Sequence, residues 1–168
     1  VSPRFVVVGP PGAGKTTVSE LLAKQLNLAF RDVDADIVES AGKPISDIFT
    51  DDGEPVFRAL EEEAVAKALE EHDGVLALGG GAILSRKTRD LLKSHTVVFL
   101  NVGMAEGVRR TGLSSARPLL SAVNPRATFK ALLDARLPLY REVATIEVLT
   151  DTLDPEQVTA VVIEGAEQ

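Results

Sequence analysis

Gly9-Pro10-Pro11-Gly12-Ala13-Gly14-Lys15-Thr16 has the spacing G-x-x-x-x-G-K-[ST], and each fixed position answers a chemical need. Glycines let successive backbone N–H groups converge on phosphate oxygens with no side chain between them. The helix that follows offers its unsatisfied N–H groups and the positive end of its dipole. The Lys15 ammonium can reach the outer phosphates, and the Thr16 hydroxyl can ligate Mg²⁺. Gly12, Ala13, Gly14, Lys15, Thr16 and Thr17 are therefore expected to hold the phosphates of ATP.

Two carboxylates follow a second expected strand. Asp32 and Asp34 are two apart, so an extended backbone points both toward the ligand crevice at a strand's carboxyl end. One could hold magnesium through water, and the other could take a proton from an attacking hydroxyl. The competing reading is helix capping, which suits Asp36 better. Downstream, Phe129, Leu132, Leu133, Leu137 and Tyr140 form an apolar helical stripe whose spacing also includes Arg136. A guanidinium facing a core needs an anionic partner; the alternative is a side chain snorkelling to the edge of the stripe. Arg58, in EPVFRALEEE, could pair with Glu61 or Glu62 along its own helix. Arg117 lies in GLSSARPLLSAVN, a long connection of the kind that often closes over a site, where it could stabilise charge on a migrating phosphoryl group. His72 at a helix end and His95 in a loop have no acidic partner at motif spacing and are expected to be non-catalytic.

The run Val75-Leu76-Ala77-Leu78 ends in Gly79-Gly80-Gly81 where many nucleotide hydrolases place an acid for magnesium. A flexible turn explains one glycine more easily than three. Bare backbone lying against a second substrate explains all of them, and Gly80→Ala is then expected to weaken that substrate more than the nucleotide.

These groups need a scaffold to converge. Apolar runs at residues 4–8, 28–34, 75–78, 96–100 and 146–149 read as strands. Helical spacing covers residues 15–26, 36–41, 54–72, 85–93, 104–111, 125–141 and 155–163, with residues 45–53 a connector and 112–124 a loop. Strands alternating with helices argue for a three-layer α/β fold around a parallel sheet, in one domain of 168 residues. No apolar run approaches the roughly 20 residues needed to span a bilayer, so no membrane partner is expected. The chain has no cysteine, which permits a cytoplasmic home and rules out thiolate chemistry. The net charge of −7 argues against nucleic acid, yet residues 109–141 hold seven bases and one acid, a local +6 that leaves −13 elsewhere. That segment suggests a small anionic ligand; the alternative is a solvated helix face.

Together GPPGAGKTT, DVDAD, FTDDGEPVFRALEEE, VLALGGGAI, EGVRRTGLSSARPLL and RLPLYREVA resemble the shikimate kinases, over residues 5 to about 162. The resemblance implies the nucleoside monophosphate kinase type of P-loop fold, with a five-stranded parallel sheet in the order 2-3-1-4-5. It implies transfer of a phosphoryl group from ATP to the 3-hydroxyl of shikimate, with Mg²⁺, on the route to chorismate and the aromatic amino acids. By motif, Asp34 would bind ring hydroxyls and assist deprotonation, and Arg58 and Arg136 would pair with the shikimate carboxylate. Gly79, Gly80 and Gly81 would line the same pocket. Thr16 would ligate Mg²⁺ with Asp32 acting through water, Lys15 and Arg117 would stabilise the transferring group, and Arg110 would lie against the adenine. Residues 9–17 would be the phosphate loop, about 33–61 the substrate region and about 112–124 the lid of a monomer. A gluconate or adenylate kinase of the same architecture, or a nucleotide-binding module without catalysis, are the competing readings.

Overall fold

The computed structural model describes residues 2–103, 106, 109, 110 and 125–167, and of residues 125 and 126 the backbone alone. Five strands form one sheet: β1 (Phe5–Val8), β2 (Phe30–Asp32), β3 (Val75–Ala77), β4 (Val97–Asn101) and β5 (Ile146–Leu149). All neighbours run parallel in the order β2-β3-β1-β4-β5, with Val6 opposite Leu76 on one side and Val97 on the other. Among the described residues this is the expected topology.

Strands β1, β3 and β4 are almost wholly buried because both faces of the sheet are covered, as a parallel sheet requires. Side chains alternate between two cores. Val6, Val8, Leu76 and Phe99 enter one, with Ile37, Ile48, Phe57 and Val65 from helices. Phe5, Val7, Val75 and Val98 enter the other, with Val18, Leu22, Val158 and Val162. The described helices include α1 (Lys15–Leu26), α2 (Val33–Ala41), α3 (Ile45–Asp51), α4 (Glu54–Glu71), α5 (Arg86–Leu92), α6 (Pro125–Val143) and α7 (Pro155–Ala166), and a 3-10 turn spans Ala82–Leu84. Helix α6 serves both cores, Phe129 and Leu133 in one and Leu137, Tyr140 and Val143 in the other. It continues through Pro138.

Three local expectations change. The connector at residues 45–53 is a helix, α3, whose Ile48 is fully buried. The second strand stops at Asp32, because Asp32 caps α2 by accepting from the Asp34 N–H at 2.9 Å. Asp36, the expected cap, instead pairs with Arg31 at 2.7 Å. His72, in keeping with no catalytic role, is buried at the end of α4, its Nε2 3.0 Å from the Val75 carbonyl, so it ties the helix to β3.

Candidate active site

The loops after β1, β2 and β3 meet at the carboxyl edge of the sheet, where an open α/β sheet places its ligand crevice. The phosphate loop comes first. Gly14 caps α1 at φ 86°, a left-handed conformation that a side chain would strain. No side chain caps α1 and no acid stands in its first turn, so its N–H groups and dipole are left for an anion. Lys15 arches back over the loop, its Nζ 2.8 Å from the Gly9 carbonyl and 3.1 Å from that of Pro10. Thr16 and Thr17 are exposed at the helix start. A cleft of about 340 Å³ is lined by Gly12, Gly14, Lys15, Thr16, Thr17, Asp34, Gly80 and Arg110. Thus the expected phosphate ligands share one space with Asp34 and with the middle glycine of the triple.

Arg110 closes the far side of that cleft. Its guanidinium donates to the Gly12 carbonyl at 3.1 Å, to the Thr150 carbonyl at 2.8 Å and to the Thr150 hydroxyl at 3.0 Å. The phosphate loop is thereby tied to the chain leaving β5. Asp151 then accepts the Gly103 N–H at 2.7 Å, fixing that exit against the end of β4.

Asp32 and Asp34 do not stand side by side on an extended strand. Asp32 ends β2, while Asp34 sits in the first turn of α2, because the cap begins the helix between them. Both remain near the phosphate loop. Burial raises the Asp32 carboxyl above its ordinary range, opposed by its hydrogen bond from the Asp34 N–H and by the charge of Lys15. Asp34 lines the cleft itself. No group of three or more His, Cys, Asp or Glu residues able to cage a metal occurs among the described residues.

The triple glycine forms the opposite wall. A Cβ on Gly79 would lie 2.7 Å from Asp34 Oδ1 and 3.0 Å from Glu61 Oε2. One on Gly80 would lie 3.3 Å from Pro11 Cδ, 3.5 Å from the Gly9 carbonyl and 3.6 Å from Arg136 Nη1. One on Gly81 would run into the Arg58 guanidinium, 2.5 Å from Nη2. A side chain at Gly79 or Gly81 would thus have to displace Asp34 and Glu61 or Arg58, while one at Gly80 would press on Pro11 and reach contact with Arg136. Gly80 also touches the phosphate loop, so Gly80→Ala disturbs both halves of the site and Gly81→Ala is the selective substitution.

Arg136 is 6% exposed, so the stripe buries it instead of releasing it to solvent. Arg58 Nη1 donates to Glu61 Oε1 at 2.8 Å, and its guanidinium lies 5.1 Å from the Phe57 ring centre and 6.0 Å from that of Phe49. Both rings hold it by cation–π attraction. Of the two candidate acids, Glu61 takes the arginine, while Glu62 accepts from the Ser85 hydroxyl at 2.5 Å. Glu61, only 3% exposed, was seen in the sequence merely as a neighbour for Arg58. Its position among buried Phe57, Val65 and Ala68 was a signal of the same kind that exposed Arg136. Burial pushes the Glu61 carboxyl up, an effect that Asp34 reinforces and that Arg58 and Arg136 oppose. Two arginines and two acids, Arg136 and Glu61 buried and Arg58 and Asp34 half-buried, thus share a wall beside three bare glycines, an arrangement suited to a small anion carrying hydroxyl groups.

The basic segment divides between its two readings. Lys130 pairs with Asp134, Arg141 with Glu147 and Arg109 with Glu106, and Lys130 is 63% exposed. Of its described side chains, Arg110 and Arg136 face the site and these three belong to solvated surfaces. Arg117 and the expected lid, residues 112–124, lie outside the described residues.

Known proteins match this arrangement. The family model for shikimate kinase matches residues 11–167. A shikimate kinase of Saccharopolyspora erythraea is 69% identical over 164 residues, covering 98% of this chain and 94% of that one. One from Streptomyces avermitilis is 56% identical over 165 residues, covering 98% and 96%. Among solved structures, a shikimate kinase from Acinetobacter baumannii in complex with shikimate superposes with a TM-score of 0.93 at 36% identity, covering 98% of this chain and 92% of that one. A gluconokinase from Sinorhizobium meliloti covers 99% of this chain and 92% of its own, but at 21% identity and a TM-score of 0.58 it shares the fold alone. The chain belongs to the shikimate kinase family.

Proposed function

We propose that this chain transfers the γ-phosphoryl group of ATP to the 3-hydroxyl of shikimate in one in-line step, on the route to the aromatic amino acids. The observation that carries this reading is the shared cleft. Asp34 and Gly80 line the same space as the phosphate loop and also belong to the wall with Arg58, Glu61 and Arg136. An acceptor whose carboxylate meets the two arginines has its hydroxyl beside Asp34 and next to the phosphates. Holding both reactants in one orientation removes much of the entropic barrier. The acceptor O–H gives its proton to Asp34 as the new O–P bond forms and the bond to the leaving ADP oxygen breaks. Lys15 supplies fixed positive charge to that migrating group. Mg²⁺, held by Thr16 and through water by Asp32, would neutralise charge on the phosphate oxygens. Arg110 borders the adenine side, residues 33–61 the acceptor, and residues 112–124 form a lid carrying Arg117. The enzyme acts as a cytoplasmic monomer.

A coupled ADP-release assay with shikimate, gluconate and AMP tests the assignment. Turnover is expected with shikimate, and turnover only with gluconate or AMP would overturn it. Gly81→Ala should displace the Arg58 guanidinium, at a loss of one charge-assisted contact worth about 1.5–3 kcal/mol. Shikimate affinity by calorimetry should then fall about ten- to a hundredfold, with ADP affinity unchanged. Equal losses for both ligands would return the glycines to a plain flexible turn. Arg117→Ala should lower kcat by about one to two decades with the thermal melt unaltered, for the same loss confined to the transition state. Wild-type turnover would remove Arg117 from the mechanism.

A further inference from the structure

Tyr140 has no role in the reaction just described, yet it is fully buried at the centre of the acceptor wall. It stands one helical turn beyond Arg136 on the same face of α6. Its ring stacks on Phe99 of β4, centroids 4.8 Å apart and planes 19° from parallel. That strand lies inside the sheet, so the ring is anchored on the most rigid part of the fold. The hydroxyl reaches the Gly80 carbonyl at 2.5 Å. A carbonyl only accepts, so the phenol donates its proton there. Arg136 packs beside the same glycine, its Nη1 3.6 Å from where a Gly80 Cβ would lie, and its positive charge acts on the phenol.

Resting on the kinase reading above, we propose that the Tyr140 hydroxyl is a positioning group for the acceptor's carboxylate, holding the Gly80–Gly81 peptide in place against the Arg136 and Arg58 guanidinium groups.

Three consecutive glycines have the widest conformational freedom a chain can have, and something must remove it. The Gly79 carbonyl accepts from Ala82 and the Gly81 carbonyl from Leu84, both at 3.1 Å. Between them the Gly80 carbonyl is held by Tyr140. A trans peptide is planar, and its C=O and the following N–H point in opposite directions. Fixing the Gly80 carbonyl toward Tyr140 therefore fixes the Gly81 N–H away from it. Gly81 packs directly against Arg58 and Gly80 beside Arg136, so one hydroxyl sets the backbone next to both arginines. Burial, opposed by the nearby arginines, pushes the phenol up to about 12, so it stays a proton donor at any working pH. The hydroxyl is buried and the Gly80 it holds is half-buried, so its removal leaves that carbonyl without its protein partner.

Tyr140→Phe keeps the stack on Phe99 and deletes only the hydroxyl. Its KM and calorimetric Kd for shikimate should rise about tenfold, while kcat at saturating shikimate and affinity for ADP stay within about threefold. The double variant Tyr140→Phe with Arg136→Lys should lose little beyond Arg136→Lys alone, because the hydroxyl acts by placing the backbone that Arg136 packs against. A second measurement needs no destabilising change. Tyr140 is the only tyrosine, so fluorotyrosine supplied during expression labels it alone, and its fluorine resonance should shift with shikimate and not with ADP. Unaltered shikimate affinity in Tyr140→Phe, equal losses for shikimate and ADP, full additivity in the double variant, or a resonance that answers only to ADP would each overturn the proposal. If the wild-type chain phosphorylates shikimate in these experiments, such a result sinks Tyr140's role alone. A wild-type chain with no shikimate turnover overturns the kinase assignment and this role with it.

Discussion

Replacing Arg136 with alanine is expected to weaken shikimate binding by roughly a hundredfold to a thousandfold while ADP affinity stays within about twofold. The magnitude follows from burial. At 6% exposure the guanidinium has little water to share its charge with, and a carboxylate bound there would be desolvated as well. Truncating one partner of a buried, hydrogen-bonded charge pair costs about 2–5 kcal/mol, much of it the penalty of leaving the other charge unpaired. Every 1.4 kcal/mol is about tenfold in affinity. The nucleotide is insulated because its phosphates meet Lys15 and the start of α1, which Arg136 touches only across Gly80. Some thermal stability should also go, since Arg136 offsets the buried Glu61 charge. Arg136→Lys separates charge from shape. It restores the charge without the planar fork, so its shikimate affinity should fall between wild type and alanine. Calorimetry with each ligand decides the matter, and wild-type shikimate affinity in the alanine variant would end the carboxylate role.

Why the sequence revealed some of these residues and hid others has physical causes. The phosphate loop is legible because its chemistry lies in consecutive residues, whose spacing survives any tertiary arrangement. Arg136 is legible because helical period fixes which side chains share a face, and Phe129 and Tyr140 on that face are fully buried. Glu61 obeyed the same rule on α4, but a ready partner three residues away made a surface ion pair a sufficient explanation. Asp32 and Asp34 were placed by the wrong local geometry. Capping decides where a helix begins, and one hydrogen bond from the Asp34 N–H moved that start ahead of Asp34. The acceptor wall as a whole was not legible from spacing at all. Asp34, Arg58, Gly79–Gly81 and Arg136 come together because β3 lies between β2 and β1, an order that local pattern does not encode. The basic segment's two readings could not be separated for a related reason. Glu106 stands just outside it, and Glu147 reaches Arg141 from β5, so its charges are neutralised by neighbours a window count omits.

Asp34→Asn should lower kcat by about a hundredfold to a thousandfold and change the KM for shikimate by less than tenfold. General base catalysis contributes roughly 10²–10⁴ in rate. The lower part of that range applies here, because phosphoryl transfer passes through a loose transition state with little bonding to the incoming oxygen. The hydroxyl's proton is then lost late, and orientation accounts for more of the acceleration than basicity does. Asparagine preserves most of that orientation. Its amide carbonyl can still accept from the acceptor hydroxyl, and the Asp34 N–H that Asp32 caps belongs to the backbone, so α2 keeps its start. What disappears is a carboxylate able to carry the proton away. It also removes a negative charge beside the buried Glu61, which should relieve repulsion there and leave the thermal midpoint unchanged or higher. A slow but stable variant with near-normal shikimate and ADP affinity is the signature of a proton acceptor. If instead kcat stays within about threefold of wild type while shikimate KM rises steeply, Asp34 only binds ring hydroxyls, and water must take the proton.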